Sequence, residues 1–212
     1  MGNSRVLRLV RGRVERSRPK APDKAALQRA VLQFVRATGA DPASSDLKDT
    51  PRLVAQAWTT EFLDGYGRSP KEALSDLIPV ARGQRQEMVV VTGLIFRSVC
   101  PHHLLPWAGT ASIAYVPGPW LLGFGRFSTL LDILGHRLVL QETLANDVVA
   151  EVMKGLKARG AACMLRGEHL CMRLRGGGQR HAVTWAESYA GVFDKSSALR
   201  DSFTARASGP MA

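Results

Sequence analysis

The chain has 212 residues, 45% of them hydrophobic, which is enough for one globular unit with a sizeable core. Its apolar runs, such as "EMVVVTGLIF" and "WLLGFGRF", stop well short of the roughly 18 residues of a membrane-spanning helix, which excludes that class. The formal charge of +11 suits a nucleic-acid binder or an enzyme of anionic substrates, but "RVLRLVRGRVERSRPK" alone holds six arginines and a lysine, so much of the basicity belongs to a tail.

That tail, residues 1–22, reads as a solvated basic extension rather than a nucleic-acid arm. It is arginine-rich and acid-poor like a mitochondrial presequence, yet it lacks the apolar centre of a secretory signal, and the expected compartment is the cytoplasm. In residues 23–84, "PDKAALQRAVLQFVRATG" carries Leu27, Val31, Phe34 and Val35 at helical spacing, with Gly39 as its stop. "SSDLKDTPRLVAQAWTTEFLDGYG" predicts a second helix with Thr50 as N-cap, Pro51 at the first helical position and an end near Gly65.

From Glu87 the pattern changes. "EMVVVTGLIFRSV" and "AGTASIAYVP" predict two antiparallel strands joined across a Cys-Pro-His-His connection. "RFSTLLDILGHR" and "LQETLANDVVAEVMKGLKARG" return to helical spacing, the latter with Leu144, Val148, Val152 and Leu156 in line and Gly160 as its stop. "AACMLRGEHLCMRLR" and "HAVTWAESYAGVF" read as a second strand pair, and "SSALRDSFTARA" as a short terminal helix. The order ββααββ over residues 85–207, before a short tail at 208–212, predicts an α+β domain: an antiparallel β-sheet with helices packed on one face, preceded by an N-terminal helical region.

Three cysteines, Cys100, Cys163 and Cys171, are too few and too odd in number for a disulfide framework and read as reduced thiols. Cys100 and His103 have the spacing at which a tight turn folds around one ion, and thiolate with imidazole is a donor set that zinc prefers. The adjacent His102 and His103 point in different directions, so one of them is spare. On a strand, His169 and Cys171 share a face, with Arg173 and Arg175 continuing it and Met164, Leu170, Met172 and Leu174 turned to the core. Cys163 shares that face but lies about 26 Å along it from Cys171, and is expected to be a buried filler. Two cysteines and one histidine leave a fourth tetrahedral position open, the pattern of a catalytic zinc. A closed structural zinc with His169 as fourth ligand, and ordinary buried cysteines without metal, are the alternatives.

Taken together, "SVCPHHLLPWAGTASIAYVP", "HRLVLQETL", "GEHLCMRLRG" and "AGVF", with a weaker match in "DTPRLVAQAW", resemble GTP cyclohydrolase I of the tunnelling (T-fold) type over roughly Ser98 to Phe193. The resemblance implies that Cys100, His103 and Cys171 hold zinc and that His102 and His169 serve acid/base steps. It also implies that GTP and water become 7,8-dihydroneopterin triphosphate and formate, the entry to folate and pterin synthesis, in a homodecamer of two stacked pentamers with sites at subunit interfaces. No redox cofactor is implied. Gln141 and Glu142 fall on the guanine-recognition motif, where a carboxylate matches the N1-H and amino edge of the base in the way it matches an arginine fork. Arg126 and Arg175 fall on the triphosphate-binding positions, and Arg173 lies close by.

One stretch departs from the family. "GFGRFST" has Gly125 where the family has serine, Arg126 in place of lysine and Thr129 where a second arginine is expected. Arginine keeps the attraction for phosphate but changes reach and hydrogen-bond geometry. Arg180 and His181 could supply compensating charge. Two further readings follow: a T-fold enzyme of another purine or pterin, or one that stops after ring opening; and a non-catalytic zinc-stabilised ring that binds through its basic tail.

Overall fold

The computed structural model describes residues 20–81, 83, 87–175 and 179–208. The basic tail lies outside these residues except for its last three positions, as do the glycines after Arg175 and all but the first residue of 208–212. Among the described residues no helix is long and apolar enough to cross a membrane.

Helix α1 spans Lys24–Ala37, and its N-cap is Asp23, whose side chain accepts the Ala26 N–H. Helix α2 spans Thr50–Ala57; its N-cap is Asp49 rather than Thr50, and Pro51 sits inside the first turn. The predicted single helix then widens into a π-helical turn at Trp58–Phe62 and a 3₁₀ turn at Asp64–Gly67, so it is broken before Gly65 is reached. Phe34, expected on the packed face of α1, is 71% exposed in the single chain. A one-turn helix α3, Pro70–Ala73, is closed by a Ser69/Glu72 capping box and leads to a short strand β1, Ile78–Pro79.

Strands β2 (Val89–Val99) and β3 (Pro106–Val116) pair antiparallel, as their alternating β-branched and aromatic content predicts. The ladder shifts register between Val91 and Leu94, where Gly93 takes a positive φ of 72° to form the bulge. A short β4, Trp120–Leu121, pairs with β1. Helices α4 (Gly125–Gly135) and α5 (Gln141–Leu156) follow, and then β5, Gly160–His169. A one-turn helix α6 (Leu170–Arg173), strand β6 (Thr184–Gly191), one-turn α7 (Val192–Lys195) and α8 (Ser197–Ala207) complete the chain. The main sheet has the order β2-β3-β5-β6, antiparallel throughout.

The core follows from two periodicities. Leu144, Val148, Val152 and Leu156 form one buried stripe on α5, and Phe127, Leu130, Leu131 and Leu134 another on α4. Both pack on the sheet face that carries Ala111, Ile113, Tyr115, Ala161, Cys163 and Leu165. Each fully buried side chain of this size contributes about 1.5–3 kcal/mol of transfer free energy. The intervening residues Ala114, Val116, Ala162 and Met164 face the other way and meet Phe193 and Phe203 of α7 and α8. The terminal helices therefore cover part of the sheet's second face.

Two expectations change here. Helix α5 ends at Lys157, which adopts the left-handed conformation at φ 50°, and Gly160 begins β5 instead of stopping the helix. Strand β5 stops at His169, because its ladder with β3 ends at the Trp107–His169 pair and its ladder with β6 already ends at Gly167–Thr184. With no ladder partner beyond among the described residues, the chain coils into α6. Met172 and Leu174 are exposed at 38% and 73% rather than turned to the core.

Candidate active site

The Cys-Pro-His-His segment is the turn that joins β2 to β3. The last strand pair is Val99–Pro106, after which Cys100 N–H donates to Leu105 O at 3.0 Å and Leu104 N–H donates to Cys100 O at 2.9 Å. Leu104 takes a positive φ of 53°, uncommon for any residue but glycine. This tight closure buries Cys100 and leaves His102 and His103 projecting, with their rings 6.1 Å apart and 69° from coplanar. Cys100 Sγ lies 3.8 Å from His103 Nδ1 and 4.0 Å from His102 Nδ1.

Cys171 completes the cluster from α6. The sequence argument placed it on a strand face with His169, with Arg173 and Arg175 beyond; the helical turn after His169 instead folds it back toward Cys100. The ligand atoms of Cys100, His103 and Cys171 lie within 4.8 Å of one another, and this group does not include His169. Burial pushes the Cys171 thiol up, and the Cys100 thiol beside it adds to the rise, while Arg175 acts in the opposite direction. Two neighbouring thiolates repel, and a cation between them removes that cost. Zinc bonds of about 2.3 Å to sulfur and about 2.0–2.1 Å to nitrogen hold tetrahedral ligand atoms roughly 3.5–3.8 Å apart, which matches the Cys100–His103 spacing. The Cys100–His103 pair thus fits zinc by spacing, and two sulfurs with an imidazole fit it by softness. Cys163 is fully buried within the sheet core, where burial pushes its thiol far up; it is the inert filler expected.

His169 ends β5 and stacks parallel to Trp107, with centroids 4.7 Å apart and planes at 7°. Its Nε2 lies 2.9 Å from Gln141 Oε1. Burial depresses the His169 pKa, and the Glu142 carboxylate opposes the shift. Gln141, the first residue of α5, is 4% exposed, and its amide is used within the protein: Nε2 donates to Leu165 O at 2.9 Å and Thr184 O at 3.2 Å, while Oε1 accepts from His169 and Thr184 Oγ1. Glu142, next in the helix, is exposed and carries its carboxylate at the first turn.

Cys100, His102, His103, Glu142, His169 and Cys171 all line one cleft of about 240 Å³, together with Gln141, Trp107 and Thr184. Gly125, Arg126 and Arg175 do not line it. Arg126 sits at the start of α4 in an ion pair with Asp76, and Gly125 precedes it with open space where a side chain would be. Thr129 lies one turn into α4, Arg175 is exposed after α6, and Arg180 and His181 are exposed before β6. Arg173 is paired with Glu168 at 2.7 Å. Sequence reasoning missed Trp107 and Thr184. Each sits at a strand start beside the Cys-loop or the end of β5, and only the strand register reveals that Trp107 faces His169.

The sequence profile of the family described as GTP cyclohydrolase I matches residues 27–208. A GTP cyclohydrolase 1 of Chromobacterium violaceum is 35% identical over 190 residues, covering 90% of this chain and 90% of that protein. One of Leifsonia xyli is 38% identical over 171 residues, covering 81% and 88%, and one of Deinococcus radiodurans 32% over 185 residues, covering 87% and 84%. Among solved structures, the archaeosine synthase QueF-Like in the apo form gives a TM-score of 0.43 at 18% identity over 51% of this chain and 97% of that one, a likeness that adds nothing to the fold as described. The profile spans every element that builds the cleft, the relatives cover most of the chain at 32–38% identity, and the chain belongs to the GTP cyclohydrolase I family.

Proposed function

We propose that the chain is a zinc-dependent cyclic amidine hydrolase that converts GTP and water to 7,8-dihydroneopterin triphosphate and formate. The observation that carries this reading is the convergence of Cys100, His103 and Cys171 with two further imidazoles and a carboxylate on one cleft. Cys100, His103 and Cys171 would hold zinc, which when bound supplies Lewis acidity that makes water a competent nucleophile near neutral pH. Glu142 accepts from N1-H and the amino group of guanine and fixes which edge of the base reaches the imidazoles. His102 gives a proton to the imidazole nitrogen of guanine as water adds at C8, and His169 moves protons in the ring-opening and later steps. Arg126 and Arg175 hold the triphosphate.

The active unit in this reading is an oligomer, a decamer of two pentamers, with each cleft completed by a neighbouring copy. In support, the single-chain cleft of about 240 Å³ is smaller than the roughly 300–1,000 Å³ usual for ligand sites. Leu140 and Met172 in its lining are exposed. The three cysteines are unpaired thiols, in keeping with the cytoplasm.

A second reading, in which the reaction stops after ring opening or a different purine or pterin is used, draws support from Gly125, which offers no hydroxyl, and from the Arg126–Asp76 pair. The zinc-loaded protein incubated with GTP, with formate and the oxidised fluorescent pterin quantified separately, distinguishes the two. Equal yields support the full reaction. Formate without pterin favours arrest after ring opening, and neither product from stoichiometrically metallated protein removes GTP as substrate.

A further inference from the structure

Gln141 is a buried polar side chain of the cleft to which the proposed reaction assigns no step. Its orientation is determined by what surrounds it. The nitrogen end lies 2.9 Å from Leu165 O and 3.2 Å from Thr184 O, and carbonyl oxygens only accept, so the NH₂ group must face them. The amide oxygen is thereby turned to the other side, 2.9 Å from His169 Nε2 and 2.5 Å from Thr184 Oγ1. An amide oxygen cannot donate, so the proton in the His169 contact belongs to His169 Nε2. In the neutral imidazole the lone pair is then on Nδ1, which has no partner among the described residues. The Trp107 stack fixes the plane of the same ring. Gly167 holds the backbone against the amide so closely that a Cβ there would stand 2.9 Å from Gln141 Oε1.

We infer that Gln141, locked by the carbonyls of Leu165 and Thr184, is a positioning residue that sets the tautomer of His169, so that Nδ1 and not Nε2 is the nitrogen that exchanges a proton with the substrate. The inference rests on the reading of the cleft as a hydrolytic GTP site. It moves Gln141 from the group that reads the base to the group that prepares the acid/base residue. A base-reading side chain needs a free donor or acceptor, and this amide has its donors and its acceptor committed to protein atoms.

The test uses the zinc-loaded full chain with ¹⁵N-labelled histidine, the neutral imidazole tautomers assigned by NMR, and kcat and KM for GTP measured on the same samples. In the wild type His169 carries its proton on Nε2. Gln141→Met, similar in length but without an acceptor, gives a mixed tautomer and a kcat lower by about tenfold to a hundredfold, as expected for loss of orientation, with KM within about threefold. Thr184→Val, which leaves both carbonyl contacts of Gln141 in place, keeps the Nε2-protonated tautomer. A wild-type spectrum with the proton on Nδ1 overturns the inference whether or not the variants fold. So does a Gln141→Met protein whose KM rises while kcat and tautomer are unchanged, the result expected of a base-reading residue. Absence of formate from the wild type would count against the hydrolytic reading, while the tautomer would still be reported by the spectrum.

Discussion

At the scale of single residues, the cleft divides its labour by what each side chain has left to offer. His102 and His103 are neighbours in sequence, yet only His103 joins Cys100 and Cys171 within 4.8 Å, which leaves His102 outside the ligand group. Cys171 and Cys100 were legible from their residue types as candidates for one metal-binding group, and they do lie in one cluster with His103, although Cys171 reaches it from a helical turn and not from a strand face. Gln141 was not legible. Nothing in "QET" reveals that its first residue turns inward to two carbonyls while its second stays exposed. Glu142 has two expected effects that separate when it is neutralised. Glu142→Gln loses charge-assisted bonds worth about 1.5–3 kcal/mol, so KM for GTP should rise by roughly ten- to a hundredfold in steady-state kinetics. The same carboxylate favours the imidazolium of His169, so its removal should lower the His169 pKa further, in the direction burial already drives it. An NMR titration of the substrate-free protein in which His169 moves upward would contradict this.

At the scale of elements, the sequence carried the strands and long helices well, because their periodicities are sustained, and carried their ends poorly. The end of β5 is set by where its neighbours stop, and "GEHLCMRLR" contains no signal for that. It is this unforeseen end that brings Cys171 to Cys100 and His103, in a group that could hold a metal ion. The end of α5 was misread for a local reason: Gly160 is the better stop on paper, but the chain takes its left-handed residue three positions earlier, at Lys157. A lysine there bears a conformational cost that glycine does not. Lys157→Gly should therefore raise stability by about 0.5–1 kcal/mol, read as a higher urea midpoint with unchanged slope. A lower midpoint would mean that the lysine side chain contributes more than its backbone costs.

At the scale of the whole molecule, the N-terminal helical region is fastened to the sheet domain by a cluster that no sequence pattern announced. His136, 4% exposed at the end of α4, donates from Nδ1 to Asp64 Oδ1 at 2.6 Å. Arg137 Nε donates to Gly65 O at 3.1 Å, and Leu138 N–H donates to Tyr66 Oη at 3.1 Å. The partners are 72 residues apart, which is why spacing could not reveal them. Asp64→Ala leaves a buried imidazole without its acceptor and should cost about 1–3 kcal/mol, with faster amide exchange in α1 and α2 as the accompanying sign. Exchange confined to the sheet would place the weakness elsewhere. The fastening also matters to the cleft, since Val139 follows directly and Val99 is bridged to Leu138 beside the Cys-loop.

Hydrolysis in this cleft, as proposed, requires a proton-transferring imidazole that is not a metal ligand. The most direct measurement is the rate of formate release from GTP by the wild type and by His102→Ala at equal, verified zinc content. Zinc should stay stoichiometric in the variant while the rate falls by about 10²–10⁴-fold. Equal rates in the two proteins, or loss of zinc with His102, would contradict it.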